Sequence, residues 1–97
     1  MDYTQRLHHQ HDVIAQPNGA DLVLFDMSSG HYFSLNEMGR RIWELCDGNF
    51  TLGEVAATIG EEYDASPEVI TADVEMITAL LIEKRLLRME NSVATAR

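Results

Sequence analysis

Cys46 is the only cysteine in this 97-residue chain and the first residue to weigh as a reactive group. A thiol becomes a nucleophile when a helix N-terminus or a nearby imidazole lowers its pKa. Cys46 instead stands near the C-terminal end of a predicted helix, where the dipole disfavours a thiolate, and Asp47 follows it. It reads as a small core residue. His8, His9 and His11 form an HHQH cluster, but their segment has no period. No cysteine or further histidine pair completes a four-ligand set, so no metal is predicted. His31 stands alone. Glu54, Glu61, Glu62, Glu68, Glu75 and Glu83 fall where solvated helix faces are predicted. Asp73 differs, because it interrupts the apolar series Val69, Met76, Leu80. It is either a charge at the rim of that stripe or part of a binding surface. No glycine-rich phosphate loop, Ser/His/Asp arrangement or paired-carboxylate site is present, so neither catalysis nor a cofactor is predicted.

Charge narrows the class further. Seven basic residues against 16 acidic give a net charge of −9. A nucleic-acid binder needs a basic face to neutralise phosphates. The only local basic groupings are Arg40/Arg41 and Lys84/Arg85/Arg88, so no nucleic-acid partner is predicted. No apolar run approaches the roughly 20 residues of a membrane span, and the amino terminus lacks the pattern of a secretory signal. With a single cysteine and no internal disulfide, a reducing cytoplasm is the expected compartment.

The elements that must position any site can be read in order. Val13 to Gln16 reads as a strand closed by a Pro17-Asn18-Gly19 turn, and Leu22 to about Met27 as a second strand. Ser28-Ser29-Gly30 is a further turn, and His31 to Leu35 a third strand. Asn36 reads as the N-cap of a helix reaching about Cys46, with Met38, Ile42 and Leu45 on one stripe. In that helix Gly39 and Trp43 share a face, which suggests close packing on the sheet. Thr51 and Glu54 form a capping box for a second helix, and Ser66-Pro67 opens a third that runs to about Arg85. The predicted fold is α+β, a winged-helix-like βββααα arrangement in which a three-stranded antiparallel sheet packs with three helices. One domain spans 12–88, between flexible tails at 1–11 and 89–97.

Two features of that arrangement lack a partner. A meander in chain order leaves the third strand at an edge, with unpaired N–H and C=O groups that must be covered or used. The third helix has a core stripe (Ile70, Val74, Ile77, Leu81) and a second apolar stripe about 90° away, at 100° per residue, formed by Val69, Met76 and Leu80 around Asp73. An extended peptide added to the edge would gain main-chain hydrogen bonds, with Met76 and Leu80 as a groove floor. The same edge could also pair with a second copy, giving a homodimer.

Gly30-His31-Tyr32-Phe33-Ser34-Leu35-Asn36, then Gly39, Ile42-Trp43, Leu45 and Asp47-Gly48, resembles the signature of the PqqD-like family. Thr51-Leu52, Tyr63-Asp64, Asp73-Val74 and Leu86-Leu87 agree with it in order. These are recognition elements of ribosomally made peptide natural products. The resemblance implies a non-catalytic domain that binds the leader of a precursor peptide and presents it to a modifying enzyme. It implies that the leader adds to the third strand and lies against the third helix, which here means His31, Tyr32, Phe33 and Ser34 with Asp73, Met76, Leu80 and Lys84. Leu45-Cys46-Asp47-Gly48 resembles members serving pyrroloquinoline quinone biosynthesis, whose partner is a radical S-adenosylmethionine enzyme. Tyr32-Phe33, Ile42-Trp43 and the Arg85-Leu86-Leu87 ending are more similar to stand-alone members of lasso-peptide pathways, whose partner is a leader peptidase, and that subtype is preferred. A winged-helix DNA-binding regulator is the alternative from another class.

Overall fold

The computed structural model describes residues 2–89. The elements are β1 (Leu7–His9), β2 (Val13–Asn18), β3 (Asp21–Asp26), β4 (His31–Leu35), α1 (Glu37–Leu45), α2 (Leu52–Glu62), α3 (Pro67–Glu83) and β5 (Leu87–Met89). The α+β class and the three-strand, three-helix body are as read from the sequence. β2, β3 and β4 form an antiparallel sheet in chain order, so β4 is an edge.

Alternation along β3 decides which sheet face is covered. Leu22 and Leu24 are buried, and they pair in register with Leu35 and Phe33 of β4, so these four point toward the helices. Ile42 and Trp43 of α1, Val55 and Ile59 of α2, and Ile70 and Val74 of α3 complete the core with them. All three predicted helix starts carry their caps. Asn36 Oδ1 accepts from the Gly39 N–H at 2.9 Å, Thr51 and Glu54 exchange both bonds of a capping box, and Ser66 Oγ accepts from the Val69 N–H. Each such cap contributes about 1 kcal/mol.

Residues 2–11 depart from the expected tail. Leu7–His9 pair antiparallel with Leu87–Met89 as a separate two-stranded sheet, and Leu7 is buried. Upstream, the Leu52 and Gly53 N–H groups donate to the carbonyls of Gln5 and Tyr3, which ties the segment to the start of α2. Two of the three clustered histidines, His8 and His9, are built in as well, while His11 is exposed. His9 stacks on Trp43 with centroids 3.8 Å apart and planes within 5°, and its Nε2 lies 2.7 Å from the Trp43 carbonyl, to which it donates. The His8 ring lies against Gly48, where any Cβ would come within 2.6 Å of the ring and where φ is +91°. Among the described residues no group of His, Cys, Asp and Glu could hold a metal ion. Met89 closes β5, and the rest of the predicted C-terminal tail lies outside the described residues.

A smaller correction concerns the first hairpin turn, and a refinement concerns α1. β2 continues through Pro17 to Asn18, and the hairpin turns at Gly19-Ala20 instead of at Pro17. Proline is tolerated there because β2 is the other edge of the sheet. Gly39 is needed for the chain's own turn from strand to helix, since a Cβ there would meet Leu35 Cβ at 3.2 Å; Trp43 has His9 as its stacking partner.

Candidate functional site

The turn before β4 fixes where the edge strand begins. Asp26 is buried, and its carboxylate accepts from the Ser28 N–H (3.0 Å), the Ser28 hydroxyl (2.8 Å) and the Ser29 hydroxyl (3.0 Å). The hydrogen bonds from Ser28, ahead of those from Ser29, hold its pKa below the ordinary aspartate value. Ser29 Oγ in turn accepts from the His31 N–H, and Gly30 N–H donates to the Asp26 carbonyl. A short polar turn thus locks the register Asp26↔His31 through Leu22↔Leu35.

β4 has β3 as its only strand neighbour among the described residues. The sheet has two open edges, but they are not equivalent. β2 carries Pro17, which lacks an N–H and blunts an edge, whereas HYFSL contains neither proline nor a lysine. Of the predicted β4 site residues, His31 is exposed and meets Phe33 edge-on at 6.4 Å; Ser34 is exposed. Phe33 is half-buried against the core. Tyr32 is 70% exposed and points to the outer face, tilted on Phe25 at 4.6 Å.

On α3 the second stripe is open as predicted. Met76 is 64% exposed, Leu80 50% and Val69 52%, while Ile70, Val74 and Leu81 are buried. Asp73 is half-buried and forms no ion pair among the described residues. Lys84 is exposed and caps the helix, its N–H donating to the Leu80 carbonyl at 2.9 Å. α3 packs on α2, β5 and α1, and β4 packs on β3 and α1. The edge and the stripe therefore share α1 as a neighbour and do not pack extensively on each other. A separate apolar hollow of about 470 Å³ lies between α2 and the start of α3, lined by Tyr3, Ala56, Ala57, Gly60 and Ile70, and it shares no residue with this site.

The other reactive candidates are spent on structure. Burial, followed by the charge of Asp47, pushes the Cys46 thiol up to about 12, and the residue is fully inaccessible. Arg41 makes a forked pair with Glu62, and Arg40 binds Glu44 and the carbonyls of Gly19 and Asp21. Sequence reasoning missed Arg85, which holds φ +63° just after α3 and lets Leu86 N–H reach back to the Leu81 carbonyl. Glycine would mark such a left-handed position, and its absence hid the turn conformation, although the helix end itself is read at about Arg85.

The sequence model of Coenzyme PQQ synthesis protein D (PqqD) matches residues 21–87. The chain belongs to the PqqD family. Over 83 residues it is 31% identical to the bifunctional coenzyme PQQ synthesis protein C/D of Methylorubrum extorquens, covering 78% of this chain and 22% of that protein. It is 36% identical over 55 residues to the PqqA binding protein of Xanthomonas campestris pv. campestris, covering 57% of this chain and 60% of the other. The chain thus spans between about a fifth and three fifths of the length of these curated relatives. Among solved structures, this PqqD-family chain resembles TbiB1 in complex with the TbiA(beta) leader peptide, with a TM-score of 0.77 and 26% identity over 84% of this chain and 94% of that one. A lasso peptide synthetase B1 complexed with its leader peptide shares the fold at a TM-score of 0.77 and 19% identity, over 86% of this chain and 98% of the other.

Proposed function

We propose that this PqqD-family chain is a non-catalytic module that binds the leader segment of a ribosomally made precursor peptide. The leader adds as a strand to β4, lies against the Val69–Met76–Leu80 stripe of α3, and is delivered to a leader peptidase or other modifying enzyme. The observation that carries this reading is the combination of an unblunted sheet edge with an exposed apolar helix stripe in a chain whose one thiol is buried. TbiB1, which is similar over most of both chains, was captured with a leader peptide, and this supports leader binding here. The preference for a lasso-type pathway rests on Tyr32-Phe33, Ile42-Trp43 and the Arg85-Leu86-Leu87 ending. Relatives that are PqqA binding proteins support a second reading, in which the client feeds a radical S-adenosylmethionine enzyme of quinone-cofactor synthesis. Against a DNA-binding role stand the engagement of Arg40 and Arg41 with glutamates and the net charge of −9.

Burying two apolar leader side chains would supply about 3–6 kcal/mol before association costs. The test is to look for a short precursor reading frame beside this chain's gene and to titrate its synthetic leader segment into the protein by calorimetry. Met76→Glu places a charge in the stripe without touching the core. It should weaken leader binding by more than about tenfold while thermal unfolding stays unchanged, since surface substitutions cost within about 0.5 kcal/mol. Unaltered affinity would mean that the stripe is not the floor of the site.

A further inference from the structure

Beyond the peptide site, the sheet has a second face that no other element among the described residues covers. Ile14, Phe25 and Tyr32 are directly opposite one another across β2, β3 and β4, and Gln16, Val23 and Ser34 form the adjacent row. Residues opposite each other in antiparallel strands share a face. Since Leu22 and Leu24 point to the helices, these two rows point away from them. Ile14 is 49% exposed, and Phe25 leans on the exposed Tyr32 ring. None of the six side chains is charged, in a chain where 24% of residues are. Uncharged surface centred on aromatic and aliphatic side chains is the composition of an interface core.

The fold also restricts what can use this face. If a guest strand fills the β4 edge, its alternate side chains fall on the two sides of the extended sheet. Those on the inner side meet the helices. Those on the outer side stand level with Tyr32 and continue the Ile14–Phe25–Tyr32 row by one strand. A protein seated on the outer face can touch this module and its guest together.

We propose that the outer face of the sheet is the docking surface for the enzyme that receives the guest, and that this enzyme presents an uncharged apolar patch to the Ile14–Phe25–Tyr32 row. This rests on the peptide-binding reading above and adds the partner to it. The docked surface is composite, so the enzyme binds the loaded module more tightly than the empty one. Ile14 and Gln16 are the residues to change, because β2 is two strands, about 10 Å, from the guest edge.

The test uses Ile14→Lys and Gln16→Lys, separately and together, with a fluorescein-labelled leader that the parent chain binds and with the purified enzyme that cleaves or modifies that leader's precursor. Anisotropy should show leader affinity within about twofold of the parent, as for exposed substitutions remote from a contact. Enzyme affinity for the loaded module should fall by about tenfold or more, as for a charge placed at an interface core. Met76→Glu should give the reverse pattern, with the leader lost first. Unchanged enzyme binding in the double variant overturns the proposal, as does equal loss of leader and enzyme, which would place the face in the peptide site. Failure of the parent chain to bind the leader would instead overturn the reading on which the proposal rests.

Discussion

At the scale of single residues, the side chains that look reactive are the ones the fold has withdrawn. Cys46 is closed off at the end of α1, with burial first and Asp47 second in raising its thiol to about 12. The native protein should therefore resist a disulfide reagent at pH 8 and react at once in denaturant; rapid labelling without denaturant would show that α1 opens locally. Asp26 offers a second check. Its folded pKa lies below the unfolded value, so its contribution to stability is present above about pH 4 and is lost as pH falls through the folded pKa. Acid titration should loosen the 26–31 turn before the core unfolds, seen as loss of exchange protection at Gly30 and His31. Asp26→Asn should remove that acid phase, and its persistence in the variant would assign it to another carboxylate, such as Glu62. That group is also held low, chiefly by the hydrogen bonds from Arg41.

At the scale of elements, local signals were legible and remote pairing was not. Asn36, Thr51 with Glu54, and Ser66 each announce a helix start through a side chain that satisfies a nearby N–H, and all three caps form. The strand order followed from short turns. By contrast, Leu7–His9 and Leu87–Met89 are three residues each and lie some 80 positions apart, too short to show a period and too distant for a turn signal. The HHQH cluster looked solvated because nothing in sequence reveals that His9 will stack on Trp43. Pro17 misled in the same way, since a strand edge tolerates it as well as a turn does. The stripe on α3 was readable from helical spacing alone, but the distance between it and β4 was not. One prediction belongs at this scale: Leu7→Ala should destabilise the domain by about 2–4 kcal/mol, the cost of a buried leucine truncation. Denaturant unfolding with no shift in midpoint would restore the picture of a free N-terminal tail.

At the scale of the whole molecule, a −9 chain of the PqqD family offers an open strand edge, an apolar helix stripe and an exposed Ile14–Phe25–Tyr32 row on the outer sheet face within one small body. The core is spent on holding α1 between the sheet and α3, and the surfaces left over are of the kind that bind extended peptide and protein. The edge is the central claim, and amide hydrogen exchange with and without leader peptide tests it most directly. Peptide addition should slow exchange at outward-facing amides of β4 between Tyr32 and Leu35, with weaker effects at the exposed end of α3 and none along β2. Protection appearing on β2, or around Ala56, Ala57 and Ile70 while β4 stays unchanged, would contradict strand addition at this edge.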